Sequence, residues 1–298
     1  MGQSATNQPV WPEGVRLLLG IGAQKSGTSW VFRYLRGHPA CRVGPMKELH
    51  YFDTIAGLGN AGSMVQARKL RRLSKRQQPD MLAAVARLRA ICETPDANHQ
   101  SYVDLVTEGL APGQVALDIT PSYSALGIDS FRQMAALQGA RFLFLMREPV
   151  ARLWSSVRMQ MSKKVENPAD FEPACQERLD LMLELDRARE FTRADYTGTL
   201  SRLEQCVPAG RRLVMFCEDL FTQSAADRIC DFLEIAPHPL ADLGVVNEGL
   251  QARMRADQET ALAARLRPQY EAICAAFGEK VPQSWHARFA AQNQRVTA

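Results

Sequence analysis

A lysine, three hydroxyl residues and a glycine lie together directly after an apolar run. The run Val15–Ile21 predicts a buried strand, and the residues that follow Gly27 predict the start of a helix. Such a junction gathers free backbone N–H groups beside the Lys25 ammonium, which suits a bound phosphate or sulfate. The candidate ligands of this anionic group are Gln24, Lys25, Ser26, Gly27, Thr28 and Ser29.

This loop departs from that of the nucleoside triphosphatases, whose pattern requires a glycine directly before the lysine. Here Gln24 precedes Lys25, and the glycine comes two residues after it. The segment Lys25–Trp30 instead resembles the 5′-phosphosulfate loop of sulfotransferases that use 3′-phosphoadenosine 5′-phosphosulfate (PAPS). The resemblance implies that the loop holds the 5′-phosphate and that Lys25 stabilises the leaving oxygen. A strand–turn–helix corner with a solvated lysine is the alternative.

A second motif follows about 120 residues downstream. The apolar run Arg141–Met146 predicts a buried parallel strand, and Pro149 suits the first turn of a helix. Arg147 then lies at the carboxyl end of the strand, where open parallel sheets bind ligands, and Ser155 lies on the helix. An arginine and a serine eight residues apart in this setting resemble the 3′-phosphate-binding element of the same family.

The segment Lys47–Asp53 resembles the Lys-Glu-x-His-Phe-Phe segment of the carbohydrate, or heparan-type, branch of these enzymes. In that branch the glutamate is the general base, so the resemblance implies this role for Glu48. His50 is the alternative base, or it orients the acceptor. A solvated Lys–Glu pair would be the ordinary interpretation without the anion loop.

The segment Asp118–Tyr123 resembles the Glu-Lys-Thr-Pro-x-Tyr element of the same branch, but Ile119 occupies the position of its lysine. Asp118 is expected to hold the Lys25 loop or an acceptor, or to be an ordinary carboxylate at the end of a strand. The resemblance also implies that Tyr196 borders the nucleotide.

Two further positions are expected near the nucleotide. Trp30 is either the first core residue of its helix or, as the resemblance implies, a contact of the adenine. The segment Asn247–Arg253 falls where the family carries a loop that covers the cofactor.

The composition fits a folded enzyme, with 298 residues, 46% apolar and 23% charged. Its seven cysteines are scattered and never form a C-x-x-C pair, which favours reduced thiols in a cytoplasmic compartment and opposes a zinc site. The formal charge of +4 favours an anionic cofactor but is too small for a nucleic-acid-binding protein. No apolar run is long enough for a membrane span.

The alternation of strand and helix patterns predicts an α/β fold of the P-loop type, three layers with a central parallel sheet. The expected strands are Val15–Ile21, Gln114–Ile119, Arg141–Met146 and Arg212–Cys217. Residues 1–13 are expected to be a disordered arm before a single domain, 14–298, with helical insertions near 60–110 and 165–193. We expect Ser63–Cys92 to form a helix with a solvated basic face, with contact to an acidic substrate as the alternative. We expect Phe171–Arg193 to cover the active-site side.

These observations predict a sulfotransferase that uses PAPS, modifies an acceptor hydroxyl or amine and releases adenosine 3′,5′-bisphosphate. The acceptor class stays open among small molecules, lipids and carbohydrates, and so does the oligomeric state. The alternatives are a P-loop kinase that uses ATP and a non-catalytic nucleotide-binding protein.

Overall fold

Parallel strands form one sheet in the computed structural model, which describes residues 8–58, 61–76, 78–185, 191–240 and 249–296. The order across the sheet is β2-β3-β1-β4-β5, so the first strand lies in the middle. The strands are β1 (Arg16–Gly22), β2 (Cys41–Val43), β3 (Val115–Asp118), β4 (Ala140–Met146) and β5 (Arg212–Phe216). The carboxyl ends of the strands therefore meet at one edge, where β1 and β4 are neighbours.

Helices cover both faces of the sheet. The helices are α1 (Thr28–Arg36), α2 (Tyr51–Ile55), α3 (Ala61–Lys75), α4 (Pro79–Glu93), α5 (Gln100–Thr107), α6 (Ile128–Ala136), α7 (Pro149–Met161), α8 (Phe171–Glu184), α9 (Tyr196–Cys206), α10 (Gln223–Leu233), α11 (Ala256–Phe277) and α12 (Gln283–Val296). Side chains of α1 and α10 pack in the apolar cluster on one face, and the other helices contribute to the cluster on the opposite face. The predicted three-layer α/β fold is confirmed.

The two apolar clusters explain why the central strands are apolar beyond their first two residues. In β1, Leu17 and Leu19 enter one cluster while Leu18 enters the other. In β4, Phe144 and Leu145 divide in the same way. Because successive side chains point to opposite faces, a strand with helices on both sides has no polar face.

The structure differs from the predicted elements at three places. A short edge strand, β2, was not expected, because three residues carry too little pattern to detect. The expected helix Ser63–Cys92 is two helices, since Pro79 lacks the N–H needed to continue the first and instead begins α4. In the second insertion, α8 ends at Glu184 and does not line the cleft, whereas Thr192 and Arg193 of the same segment do.

The chain ahead of β1 makes contacts where it is described. The N–H of Val10 donates to the side chain of Gln100, and the Trp11 indole donates to the Val15 carbonyl. Residues 1–7 of the expected arm lie outside the described residues. In the described parts of the chain, no helix combines the length and apolarity that crossing a bilayer would require.

Candidate active site

The loop between β1 and α1 is a tight turn at the centre of the carboxyl edge. Lys25 and Gly27 both have left-handed backbones, with φ of 71° and 90°. A Cβ on Gly27 would lie 2.5 Å from Cδ2 of Leu220, so glycine satisfies both the conformation and the space. Within the described chain, no acceptor pairs with the N–H groups of Gly27, Thr28 and Ser29. These donors open a helix and can bind an anion.

Two other loop residues are already engaged within the protein. Ser26 is fully buried, and its N–H donates to the Ala23 carbonyl at 3.2 Å. The Gln24 side chain accepts a hydrogen bond from Nη1 of Arg193 at 2.9 Å. Ser26 therefore stabilises the turn from its buried side, while the Gln24 side chain links the loop to the segment before α9.

Arg147 connects the two predicted anion motifs. It follows β4, beside β1, and its Nη1 donates to the Lys25 carbonyl at 3.2 Å. Ser155, on the buried side of α7, lines the same cleft. The structure thus brings together residues that the sequence separates by more than 120 positions.

Tyr196 lies behind Arg147 rather than on the cleft wall. It is buried, its hydroxyl donates to the Arg147 carbonyl at 2.7 Å, and the same oxygen accepts from the Arg147 N–H at 3.3 Å. Burial raises the pKa of Tyr196 to about 12, so the phenol stays protonated and keeps both bonds. Tyr196 fixes the backbone from which the arginine side chain extends.

A buried carboxylate anchors the segment that contains the predicted base. The hydroxyls of Thr120, Tyr102 and Tyr123 donate to Asp118 at 2.6 to 2.9 Å, and the Leu49 N–H donates at 3.3 Å. Burial raises the pKa of Asp118, and these donors oppose that rise. Of the roles expected for Asp118, the structure thus shows a strand-end carboxylate that supports a neighbouring loop.

The base segment carries a chain of hydrogen bonds between two carboxylates. His50 Nδ1 lies 2.7 Å from Oδ2 of Asp53, and its Nε2 lies 3.4 Å from Oε2 of Glu48. Burial alone would lower the pKa of His50, but bonding to the two carboxylates outweighs it and raises the pKa to about 9. The imidazole is therefore cationic at neutral pH. Ser122 donates to the same Asp53 oxygen at 2.5 Å.

Glu48 is held as an ionised carboxylate. Burial would raise its pKa, but hydrogen bonds from His50 and Lys47 lower it below the usual glutamate value. Lys47 Nζ lies 3.2 Å from Oε1 of Glu48 and donates to Oγ of Ser29 at 3.0 Å. Lys47 thus bridges the carboxylate and the anion loop, a role that the sequence analysis did not assign to it.

Positive charge is concentrated around Lys25. Its pKa is lowered, first by burial and then by repulsion from Arg147, Arg158, Lys163 and Lys47. A lysine in this field carries its charge at a cost that a bound anion would offset. Arg158 and Lys163 were not among the predicted site residues, although Arg158 follows Ser155 by one helical turn and so shares its face.

A buried arginine adds to this excess of charge. Arg152, on α7, is 1% exposed, and its Nε and Nη2 find no hydrogen-bond partner among the described residues. Burial lowers the pKa of Arg152. Tyr196 raises it, while the neighbouring cations Arg193 and Arg147 lower it further. Arg152 does not line the cleft, but its charge adds to that of Arg147 and Arg193, which do, so an anion bound there would reduce the repulsion among these cations.

The late segment of the chain reaches the same cleft. Arg158 donates to the Leu250 carbonyl at 3.3 Å and to the Gln251 side chain at 2.7 Å. Residues 249–251 line the cleft, whereas Arg253 does not. Asn247 and Glu248, expected in the covering loop, lie outside the described residues.

A cleft of about 1590 Å³ joins these groups. Its wall includes most of the predicted site residues, namely Gln24, Lys25, Gly27, Thr28, Ser29, Trp30, Glu48, His50, Arg147 and Ser155. Ser26 and Tyr196 lie behind the wall. The volume exceeds that of an ordinary small-ligand pocket and has room for a nucleotide together with a second substrate.

Trp30 is a core residue that also lines the cleft. It is 3% exposed and stacks on Tyr34 in the apolar cluster beneath α1. Its outer edge lines the cleft and meets Phe221, whose ring centroid lies 5.7 Å away in an edge-to-face arrangement. Phe221 is 55% exposed and offers an aromatic surface that the sequence analysis did not single out.

Ile119 stands where the resembled element has a lysine, and its side chain does not reach the cleft. The side chain is buried in the cluster beneath α1 and packs against Gly20 of β1. Its N–H donates to the Lys47 carbonyl. The cation nearest to Glu48 therefore comes from Lys47, not from position 119.

One solved structure shows the same fold, and two others align less well. A sulfotransferase from Alicyclobacillus acidocaldarius is 18% identical and aligns with a TM-score of 0.61 over 93% of this chain and 100% of that one. The sulfotransferase domain from the curacin biosynthetic pathway is 22% identical, with a TM-score of 0.49 over 77% of each chain. The corresponding domain of the Synechococcus PCC 7002 olefin synthase is 17% identical, with a TM-score of 0.43 over 89% of this chain and 98% of that one.

No curated protein sequence matches the chain. The model of the sulfotransferase family matches residues 18–239, which include the anion loop, the base segment and the Arg147 motif. This match covers well over half of the chain, and its limits enclose β2 to β5 and most of β1. The chain therefore belongs to the sulfotransferase family.

Proposed function

We propose that the chain transfers a sulfuryl group from PAPS to an acceptor hydroxyl or amine and releases adenosine 3′,5′-bisphosphate. The observation that carries this proposal is the contact between Arg147 and the Lys25 carbonyl. This contact places two anion-binding groups at a single cleft. The loop is suited to one anion, and the arginine is suited to a second. A nucleotide with phosphate groups on both the 5′ and 3′ positions matches that arrangement.

The donor would lie along the carboxyl edge of the sheet. The free N–H groups of Gly27, Thr28 and Ser29 would bind its 5′-phosphate. Arg147 and Ser155 would bind the 3′-phosphate through charge-assisted hydrogen bonds. The aromatic rings of Trp30 and Phe221 would contact the adenine.

Lys25 and Glu48 would have different roles in the reaction, one at the leaving group and one at the acceptor. Sulfuryl transfer resembles phosphoryl transfer, with a loose, in-line transition state and charge building on the leaving oxygen. As the acceptor oxygen or nitrogen bonds to sulfur, the bond from sulfur to the donor phosphate breaks, and Lys25 stabilises the released charge. Glu48 takes the proton that the acceptor loses.

His50 would support the base and not replace it. As an imidazolium at neutral pH it has no free lone pair to accept a proton. Its bonds to Asp53 and Glu48 would fix the direction of the Glu48 carboxylate. The geometry thus favours Glu48 over His50 as the base.

A thermal-shift comparison tests the donor. Adenosine 3′,5′-bisphosphate should raise the melting temperature more than adenosine 5′-monophosphate, and ATP with magnesium should have little effect. The Arg147→Ala variant should lose the preference for the 3′-phosphate, while the exposed Arg132→Ala variant should keep it.

Radiolabelled donor tests the reaction against panels of small-molecule, lipid and carbohydrate acceptors. Transfer of label from PAPS, and not from labelled ATP, is the expected result. Stabilisation by ATP with magnesium but not by the bisphosphate would favour a kinase. Donor binding without transfer to any acceptor class, unchanged by Glu48→Gln, would favour a non-catalytic binding protein.

A further inference from the structure

A basic surface runs along the outer side of α3. Its exposed cations line a shallow groove of about 500 Å³ and are Arg68, Arg71, Arg72, Lys75 and Arg76. Their spacing of three and four residues places them on one helical face, and we call this set the basic face. It lies outside the proposed catalytic cleft, and none of its residues has a role in the proposed reaction.

The segment that carries the basic face contains no acidic residue of its own. No aspartate or glutamate occurs between positions 54 and 79. Across the described ranges, none of the five cations has an ion-pair partner, whereas Arg87 and Arg89 on the neighbouring α4 pair with Glu108 and Glu93. Like charges one turn apart destabilise a helix, so this arrangement favours an external anionic partner.

Exposed apolar side chains continue the basic face toward the cleft. Met64 lies one turn before Arg68 and is 59% exposed, and Leu58, just ahead of the helix, is 46% exposed. Leu58 and Val65 also line the cleft. The surface therefore changes from cationic to apolar as it approaches the lip of the proposed active site.

We propose that the basic face and Met64 form a docking surface for an anionic lipid membrane. A helix that combines clustered Lys and Arg with exposed apolar side chains binds at the interface of a bilayer, with its cations at the headgroups. Docked in this way, α3 would bring the lip formed by Leu58 and Val65 close to the headgroups.

The side chains favour a lipid surface over a soluble polyanion. No aromatic residue lies between positions 61 and 76, so the basic face offers no stacking platform for nucleic-acid bases. Met64 contributes nothing to binding a hydrophilic polyanion, but it can enter the acyl boundary of a bilayer.

The position of α3 relative to the base segment is fixed. The buried Gln66, on the inner side of the helix, donates to the Leu49 carbonyl at 3.0 Å. Glu48 directly precedes Leu49. A membrane held by the outer side of α3 would therefore have a defined distance to the proposed base.

Vesicle sedimentation of the full chain tests the proposal without any catalytic readout. The protein should bind vesicles of phosphatidylcholine mixed with phosphatidylglycerol, should not bind phosphatidylcholine alone, and should dissociate as salt is added. The triple variant Arg68→Glu, Arg72→Glu and Lys75→Glu should lose at least about tenfold in affinity. The Met64→Ser variant should lose a smaller but measurable part of the affinity for the mixed vesicles.

A matched triple variant controls for net charge. Arg36→Glu, Arg132→Glu and Arg228→Glu change exposed residues on three other helices by the same total charge and should bind like the unchanged protein. Equal loss in both triple variants would overturn the proposal, because binding would then reflect net charge alone. Failure to bind the mixed vesicles would also overturn it.

Binding to soluble polyanions distinguishes a lipid membrane from a soluble polyanion as the partner of the basic face. Binding to heparin or single-stranded DNA, without binding to mixed vesicles, would assign the basic face to a soluble polyanion and contradict the membrane proposal. Because vesicle binding requires neither donor nor acceptor, its failure is distinguishable from failure of the proposed sulfuryl transfer.

Discussion

The two sides of the cleft treat charge in opposite ways. On the donor side, Lys25 and Arg147 repel each other, and two nitrogens of the buried Arg152 find no hydrogen-bond partner in the described parts of the chain. On the acceptor side, Glu48, His50 and their neighbours pair with one another. The donor side therefore has a net charge that invites an anion, while the acceptor side is balanced before any ligand binds.

This difference indicates how each side would respond to substitution. Removing a cation from the donor side should relieve repulsion and impair ligand binding or transfer, with little loss of stability. Removing a charge from the acceptor side should break a balanced network, so stability and its pH dependence should change together with activity.

The largest expected effect is that of Lys25→Ala. Loss of the ammonium that stabilises the leaving oxygen should lower kcat by about 10³-fold. The melting temperature of the free protein should stay the same or rise, because repulsion from Arg147 and Arg158 disappears. Kinetics with PAPS and calorimetry of the free protein measure the two effects. Lys164→Ala, an exposed lysine outside the cleft, is the control, and an unchanged kcat for Lys25→Ala would refute the role.

Glu48→Gln should lower kcat by about 10²-fold with little change in the Kd of adenosine 3′,5′-bisphosphate. The amide keeps the shape of the side chain but cannot take the proton of the acceptor. Single-turnover kinetics and titration calorimetry separate the two quantities. Glu204→Gln, at an exposed position, should behave like the unchanged protein. If Glu48→Gln retains full kcat, the base lies elsewhere.

Arg147→Ala should weaken binding of adenosine 3′,5′-bisphosphate by about 2 kcal/mol, or about 30-fold, because a charge-assisted bond from a half-buried arginine is lost. Its effect on adenosine 5′-monophosphate should be much smaller. Calorimetric titration of both nucleotides measures the difference. Equal weakening of the two would show that the arginine acts on the loop and not on the 3′-phosphate.

The last expected effect concerns the free energy of unfolding, and not activity or ligand binding, and it depends on the titration of His50. Its pKa of about 9 exceeds the unfolded value of 6.5, so its protonated form stabilises the fold fully below about pH 6.5, and this stabilisation is lost as pH rises through 9. His50→Gln should therefore lose about 2–3 kcal/mol at low pH and much less at high pH. Denaturant unfolding across this range measures the trend.

His99 provides a control of opposite sign. Burial lowers its pKa, so the unfolded chain binds more protons at this position, and the contribution of His99 to stability grows as pH rises. The difference in the free energy of unfolding between the unchanged protein and the His99→Gln variant should increase with pH. Parallel trends for both histidine variants would show that the pH dependence comes from other groups.

Local patterns made the donor side predictable. The apolar run, glycine and lysine of the anion loop are contiguous in sequence, and Arg147 follows its own strand directly. Parallel topology then places both at one edge of the sheet. The fold class was predictable for the same reason, since the alternation of strands and helices is visible along the chain.

The acceptor side depends on contacts between distant segments. Asp118 supports Leu49 across 69 positions, and no local pattern indicates which backbone a buried carboxylate will bind. Lys47 reads as half of a solvated Lys–Glu pair until the fold brings Ser29 beside it. Phe221 was missed because an aromatic residue in a turn carries no periodic signal.

The packing of Ile119 against Gly20 restricts how this protein could diversify. The Cβ that any other residue would carry at position 20 falls 2.8 Å from a methyl group of Ile119, so the two positions are sterically matched. A lysine introduced at 119 alone would place its ammonium in the oily layer under α1 rather than beside Glu48. A single substitution at 119 would therefore not supply a second reaction-centre cation, because the side chain at this position enters the apolar cluster and does not line the cleft.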